Sequence, residues 1–489
     1  MSLATAAVRG ALWTIASGAG SRAIGLIGTL VITRFVAPAE YGEVTIAAVL
    51  AMTANQLSSL GLGQYLVSHP DAPRSVAFHA TSFHVGFGVL ALGLLALCGG
   101  FLAPLFDAPG LVRYLPGLLL AALLDRIAFV PERMLVRGLQ FRRLSLARSA
   151  ADLAHTAVSI GAAALGLGAL AIVLGNVVRS SIRLAIFSAS VSWREWLEPC
   201  RYSLQQTREL FAFGIPMALG ALCEFASRRW DNLLVSRFFG PGVTGMYNLA
   251  YNLADVPAIQ VGEQIGDVLL PSFARLEPQR RPAAFLRSLS LLALVVFPLA
   301  IGLGAVAPTL VATIFDERWR PLAPMLVLLA ALSVARPVGW TVASYLQALR
   351  LPRRILGLEV FKLVTLIAGI VTIGRQGPLW TCAVVGLAYG LHGLASLWIV
   401  RQLDGIPLRR SLGCLAPALA ACAVMVAAVL ATRAGLARID DVPAAARLAA
   451  EVLAGIVGYL GAAALLARQV SVELVTRLRE ALRPKTAER

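Results

Sequence analysis

The chain has 489 residues, of which 58% are hydrophobic and 14% charged, with a formal net charge of +17. A soluble domain is about 45–50% apolar and about 25% charged, so this composition, with a mean hydropathy of +0.77, excludes a water-soluble globule and implies lipid as the solvent. The basic residues are all Arg except Lys362 and Lys485; in a membrane chain they report cytoplasmic loops and anionic lipid headgroups rather than nucleic acid.

The N-terminus carries Arg9 ahead of a long apolar stretch and lacks a small-residue cleavage pattern, which favours an uncleaved first span over a signal peptide. A bilayer span needs about 20 mostly apolar residues. The breaks in this sequence allow about fourteen such spans, at 11–33, 44–66, 77–101, 114–134, 147–167, 169–191, 210–235, 243–270, 285–307, 323–349, 355–374, 379–400, 411–432 and 448–468. Only Gly166-Leu167-Gly168 divides the fifth from the sixth, so twelve or thirteen remain possible, and no large soluble domain interrupts the series. The expected fold is an all-α polytopic membrane protein. Its expected organisation is a six-helix bundle over 1–191, a cytoplasmic linker over 192–209, a second six-helix bundle over 210–400, two additional transmembrane helices over 401–468 and a cytoplasmic tail over 469–489.

Lys and Arg counted in alternate connections give about 26 on the side of the N-terminus and about 9 on the other, with about 8 inside spans. The larger set includes Arg133, Arg137, Arg142, Arg143 and Arg148, and six residues from Arg468 onward; the smaller includes Arg34, Arg237, Arg318 and Arg433. The positive-inside rule then places both termini in the cytoplasm, in agreement with an even number of spans.

An internal repeat organises the chain. ITRFVAPAEYGEVTIA over 32–47 aligns without a gap with VSRFFGPGVTGMYNLA over 235–250. Arg34 matches Arg237, Phe35 matches Phe238, Pro38 matches Pro241, Gly42 matches Gly245 and Ala47 matches Ala250. Each copy has an Arg and then a Pro/Gly turn between two spans. An even number of spans separates the copies, so the repeats run parallel. This predicts two bundles related by a pseudo-two-fold axis along the membrane normal, with substrate at their interface.

A charge inside a span costs about 2.5–3.5 kcal/mol on insertion scales and faces an interior cavity. Arg22 lies mid-way along the first span, far from either end. Asn176, Arg179 and Arg183 share one helical face of the sixth span, as Glu224, Arg228 and Asp231 do in the seventh, with Arg229 alongside. The eighth carries Asn248, Tyr251, Asn252 and Asp255 on one stripe, and Glu263 and Asp267. Asp152 and His155 lie in the fifth span, Asp125 and Arg126 in the fourth, Arg336 in the tenth, and Glu359 and Lys362 in the eleventh.

Arg22, Arg179, Arg183, Arg228, Arg229, Asn248, Asn252, Arg336 and Lys362 are therefore candidates to contact an anionic substrate, because a guanidinium offers a planar fork of donors to phosphate oxygens. Asp152, His155, Glu224 and Asp255 are candidates for a coupling cation or proton. Other readings stand beside these. Arg179, Arg183 and Lys362 could snorkel to an interface, Glu224, Arg228 and Asp231 could form a structural ion-pair ladder, and His155 could be a hydrogen-bonded packing residue. Cys98, Cys200, Cys223, Cys382, Cys414 and Cys422 form no CxxC pair and suit apolar packing, so neither a metal site nor a cofactor is expected. The sequence has no P-loop, so transport would be secondary or driven by the substrate gradient.

The segments Arg9-Gly10-Ala11-Leu12-Trp13, Thr33-Arg34-Phe35-Val36-Ala37-Pro38-Ala39-Glu40-Tyr41-Gly42, Leu60-Gly61-Leu62-Gly63 and Arg137-Gly138-Leu139-Gln140-Phe141-Arg142-Arg143-Leu144 recur in a known order. Phe213-Gly214-Ile215-Pro216, Asp231-Asn232-Leu233-Leu234-Val235, Gly245-Met246-Tyr247-Asn248-Leu249-Ala250-Tyr251 and Leu270-Pro271-Ser272-Phe273-Ala274-Arg275-Leu276 continue it. Together they resemble bacterial polysaccharide-unit flippases of the Wzx type, in the superfamily that also holds multidrug and toxin extrusion transporters and the lipid II flippase. The similarity covers most of the first 400 residues; the last two spans carry little of it. One departure is Gln347-Ala348-Leu349-Arg350-Leu351-Pro352-Arg353, where similar proteins have a Gly after the Leu.

The resemblance implies a non-enzymatic transporter in the bacterial inner membrane. It would move an undecaprenyl-diphosphate-linked oligosaccharide to the periplasmic leaflet by alternating access, for O-antigen, capsule or exopolysaccharide synthesis. Basic cavity residues would engage diphosphate or acidic sugars, Arg22 first and then Arg228 and Arg179. The implied partners are the polyprenyl-diphosphate-linked oligosaccharide, anionic lipids, and a polysaccharide polymerase and other assembly proteins; nucleic acid is not among them. Alternatives are a lipid II flippase, a cation-coupled drug exporter, a membrane-embedded polymerase or ligase, and an assembly scaffold.

Overall fold

A computed structural model describes residues 20, 24–68, 73–138 and 140–468, excluding the side chains of residues 256–268 and 271. Every regular element among them is helical. The α-helices are α1 (24–32), α2 (Pro38–Leu57), α3 (Leu62–Ser68), α4 (Arg74–Leu105), α5 (Leu111–Arg137), α6 (Phe141–Ala164), α7 (Leu170–Ser190) and α8 (Leu204–Arg275). They continue with α9 (Arg281–Ile314), α10 (Leu322–Leu332), α11 (Arg336–Ala348), α12 (Pro352–Thr372), α13 (Pro378–Asp404), α14 (Leu408–Gly413), α15 (Ala416–Leu436) and α16 (Ala444–Leu466).

Proline sets several of the starts. Pro38, Pro352 and Pro378 each open a helix, where the missing N–H costs nothing. Ten helical stretches among the described residues are long and apolar enough to cross a membrane. Neither α2 nor α6 is among them: Glu40 and Glu43 in α2, and Arg148, Asp152 and His155 in α6, lower their hydropathy. The chain is an all-helical polytopic membrane protein.

Several predicted spans differ in detail: the second is broken between Leu57 and Leu62, and the thirteenth between Gly413 and Ala416. The seventh and eighth form one long element, α8, whose two arms are joined at Gly240 with φ 78° and ψ 175°. A single residue in the left-handed region replaces a longer turn, and glycine adopts it without a Cβ clash. The tenth span is divided by a 3-10 turn at Ser333–Ala335. The break is local because Pro337, at the start of α11, cannot continue the preceding hydrogen-bond ladder.

The chain divides into two compact units, Met1–Asn248 and Leu249–Arg489. In the first, Val44, Ile46, Leu111, Leu115, Leu118 and Val173 form one apolar core, and Leu62, Leu66, Val130, Leu135, Leu144 and Phe187 a second. In the second unit, Phe285, Leu289, Phe297, Tyr345, Leu397 and Met425 form the core, and Tyr459 of α16 joins it. Side chains such as Leu97 and Leu465, 85% and 82% exposed, are the apolar surface that a span turns to lipid.

Glycines bring backbones together at two crossings in the first unit. A Cβ on Gly42 would overlap the Pro241 carbonyl oxygen, and one on Gly245 would overlap the Pro38 carbonyl oxygen. Gly61 and Gly214 are matched in the same way: a Cβ on either would strike the backbone of the other's segment. Small residues allow such close approach where no water drives association.

In the second unit α15 and α16 are tied to α9. The Arg433 guanidinium donates to both carboxylate oxygens of Glu451, at 2.9 and 2.7 Å, and to the Ala305 carbonyl at 2.6 Å. The Thr309 hydroxyl donates to the Glu451 Oε1 at 2.7 Å, and the Tyr459 hydroxyl to the Leu294 carbonyl at 2.5 Å. The six cysteines are all free thiols.

Candidate functional site

In the first unit α1, α6 and α7 form a half-open cavity of about 270 Å³ lined by Gly25, Gly28, Thr29, Ile32, Asp152, His155, Thr156 and Arg179. Three candidate residues from two predicted spans, Asp152 and His155 of the fifth and Arg179 of the sixth, thus meet around one space. Small residues make that possible. Gly28 lets α1 lie against Thr156, and Gly175 of α7 lies against His155 and Ser159 of α6. The Arg179 guanidinium donates to the Asn176 Oδ1 at 2.8 Å, and its Nε is buried without a hydrogen-bond partner among the described residues. Arg22 lies outside the described residues.

Arg183, one turn beyond Arg179, joins an ion-pair network. Its guanidinium reaches the Asp125 Oδ1 at 3.3 Å and the Glu132 Oε2 at 3.0 Å, and Arg148 pairs with the other Glu132 oxygen. Glu132 is 4% exposed, and a buried carboxylate between two guanidinium groups is compensated electrostatically. The sequence gives Glu132 no distinct signal, because it lies at a predicted span end beside Arg133.

The predicted ladder on α8 is more diverse than a series of ion pairs. Glu224 and Arg228 pair at 3.3 Å, with Glu224 half exposed. Asp231 is fully buried and accepts from the Tyr247 hydroxyl at 2.6 Å and the Asn232 side chain at 2.9 Å. The Asn248 Nδ2 donates to the Asn232 Oδ1 at 3.0 Å, and the Arg229 carbonyl accepts from the Asn232 Nδ2 at 3.2 Å. These bonds join the two arms of α8 within the first unit.

The second unit holds a buried charged and aromatic cluster. Arg336 forms an ion pair with Asp255, and its guanidinium carbon lies 5.0 Å from the Tyr251 ring centre and 4.6 Å from that of Tyr389. The Tyr251 and Tyr389 hydroxyls are 3.1 Å apart. The Lys362 ammonium pairs with Glu359 and lies 5.6 Å from the Tyr389 ring centre, while the His392 Nε2 lies 3.8 Å from the Glu359 Oε1. Two cations therefore share one tyrosine ring, an arrangement strengthened by desolvation. Lys362 and Arg336 are buried, so neither snorkels. Asn252, one residue after Tyr251, is half buried. Tyr389 and His392 carry no signal in the sequence, because nothing else in their apolar segment is charged.

Arg126 is 1% exposed and donates from Nε to the Asn55 Oδ1 at 2.6 Å and from one terminal nitrogen to the Ser58 and His84 carbonyls at 3.1 and 2.9 Å. The Asn55 carbonyl and the Ser58 hydroxyl accept from its other nitrogen. It caps the last turn of α2, where free carbonyls favour a cation. Among the described residues no group of three or more His, Cys, Asp or Glu side chains could hold a metal ion.

A family model described as polysaccharide biosynthesis protein matches residues 31–324. The chain is 25% identical over 379 residues to the lipopolysaccharide biosynthesis protein WzxC of Escherichia coli strain K12, covering 77% of each chain. It is 23% identical over 415 residues to the succinoglycan biosynthesis transport protein ExoT of Rhizobium meliloti strain 1021, covering 82% of this chain and 81% of that one. Among solved structures, the lipid II flippase MurJ in an inward closed conformation matches with a TM-score of 0.72 over 94% of this chain and 99% of that one, at 14% identity. That likeness is one of fold.

Proposed function

Because the chain belongs to the polysaccharide biosynthesis protein family, whose members here are multi-pass membrane transporters and flippases rather than enzymes, we propose that it moves polyprenyl-diphosphate-linked oligosaccharide units across the bacterial inner membrane. Translocation proceeds by alternating access and serves synthesis of O-antigen, capsule or exopolysaccharide. The observation that carries this reading is the cavity bearing Arg179, Asp152 and His155 within the helices of such a chain. A buried guanidinium with unused donors beside a carboxylate is suited to the polar, hydroxyl-bearing part of such a cargo. Arg22 and Arg228 are assigned to the diphosphate, and Asp255 and Glu224 to a coupling cation or proton.

The same proposal includes about fourteen spans, arranged as two six-helix bundles about an axis along the membrane normal with two further helices, and both termini in the cytoplasm. The reciprocal placement of Gly42 and Gly245 supports the two-fold relation, since each copy of the repeat supplies the carbonyl that the other's glycine accommodates. The excess of Arg in one set of connections supports the orientation. Anionic lipids would contact those connections, and a polymerase and other assembly proteins would receive the cargo.

The reading is tested in cells lacking the protein. They should accumulate a polyprenyl-diphosphate-linked oligosaccharide and lose a surface polymer, both restored by the wild-type gene. Normal polymer with no accumulated intermediate would refute it.

A further inference from the structure

We propose that the cavity between α1, α6 and α7 takes a single sugar ring of the cargo through its hydroxyl groups, and that the diphosphate binds elsewhere; this rests on the transport reading above. A cavity of about 270 Å³ lies just below the ~300–1,000 Å³ of sites for drug-sized ligands. Its walls have room for one ring, and its open side leaves the rest of an oligosaccharide outside.

The hydrogen-bonding inventory of the walls separates the two parts of the cargo. The Thr29 hydroxyl donates to the Gly25 carbonyl at 2.9 Å and the Thr156 hydroxyl to the Asp152 carbonyl at 3.0 Å. Both hydroxyls have spent their proton and face a ligand as acceptors. The Asp152 carboxylate is acceptor-only when ionised. Arg179 supplies the donors, having committed one of its nitrogens to Asn176.

Donors of Arg179 and acceptors of Asp152, Thr29 and Thr156 thus share this wall with the His155 ring, and the formal charges of Asp152 and Arg179 cancel. An ionised diphosphate brings only acceptors and negative charge, so it would meet Asp152 and the two threonine oxygens without a proton to share. A sugar hydroxyl both donates and accepts, and satisfies the carboxylate, the threonines and the guanidinium together. Gly25 completes the fit: a Cβ there would meet nothing within 4 Å, so the wall is recessed where a ring would lie.

The test uses the full chain in lipid nanodiscs with two probes, the glycolipid fraction extracted from cells lacking the protein and sugar-free undecaprenyl diphosphate. Asp152→Asn removes the charged acceptor, and Gly25→Leu places a side chain in the space where a Cβ meets nothing within 4 Å. Gly161→Leu is the control, at another α6 position where a Cβ meets nothing within 4 Å. Asp152→Asn should weaken glycolipid binding about tenfold, the effect of one charged hydrogen bond, Gly25→Leu should weaken it by occupying the space of the ring, and both should leave undecaprenyl diphosphate binding unchanged. The control should alter neither.

Equal loss of both probes would make the cavity a diphosphate site and overturn the inference, as would no loss of either, which would leave it a water-filled void. Wild-type protein that binds neither probe would overturn the transport reading itself. Wild-type protein that binds both, with variants that bind as it does, overturns only the sugar assignment.

Discussion

Gly42 and Gly245, equivalent positions in the internal repeat, meet backbone to backbone: a Cβ on either would overlap a proline carbonyl of the other copy and lie 3.0 Å from the other glycine's nitrogen. The repeat is therefore a contact as well as a resemblance. Sequence similarity at these positions follows from a shared steric demand, since each copy must be small where the other's first helical turn arrives.

That demand predicts the effect of the smallest added side chain. Gly42→Ala and Gly245→Ala should each destabilise the protein by about 1–3 kcal/mol, the cost of overpacking. Gly161→Ala, in open space, should be near neutral. Thermal unfolding of the purified protein in detergent checks this, and unchanged midpoints for the first two variants would remove the crossing from the account.

The Arg433 and Glu451 pair predicts how the last two helices are held. Glu451→Ala leaves a partly buried guanidinium unpaired and also frees Thr309, at a cost of about 3 kcal/mol. Replacing both charges with Arg433→Met and Glu451→Leu should recover most of that loss, because an apolar pair needs no desolvation. Unfolding midpoints of the single and double variants give the comparison. A double variant no more stable than Glu451→Ala would contradict it.

The spans are legible in the sequence because an apolar run of about 20 residues fits a membrane crossing and little else, and α4, α9, α13 and α16 follow it closely. The turn at Ser333–Ala335 is not legible, since the residues before it are apolar throughout and only Pro337 marks a break. Asp152, His155 and Arg179 stand out as polar residues at membrane depth. Their meeting around a recess at Gly25 does not, because it depends on three helices approaching at glycines. Tyr389 and His392 are hidden for a related reason: their partners Arg336 and Glu359 are distant in sequence.

The cluster around Arg336 should separate folding from transport. Asp255→Asn leaves a buried guanidinium without its counter-charge and should lower stability by about 3 kcal/mol. Adding Arg336→Gln should restore stability without restoring polymer export if the pair carries a coupling charge. Surface polymer measured at matched protein levels decides the point; full export from the double variant would make the pair purely structural.

Arg126 should resist even a conservative change. It donates to five acceptors on α2, its C-cap Ser58 and α4, and a lysine ammonium has three donors and no planar fork. Arg126→Lys should cost about 2–4 kcal/mol, from buried acceptors left unsatisfied at about 1–3 kcal/mol each with partial recovery. Thermal unfolding measures this, and a shift no larger than that of a surface Arg→Lys substitution such as Arg438→Lys would contradict the capping role.

The most direct measurement reconstitutes the full chain into liposomes carrying the glycolipid fraction from cells lacking it, and follows the oligosaccharide reaching the opposite leaflet by its accessibility to an added glycosidase. Translocation should depend on the protein and be abolished by Arg22→Ala together with Arg228→Ala while the double variant inserts normally. Translocation at the protein-free rate by the wild type, or at the wild-type rate by the double variant, would contradict this.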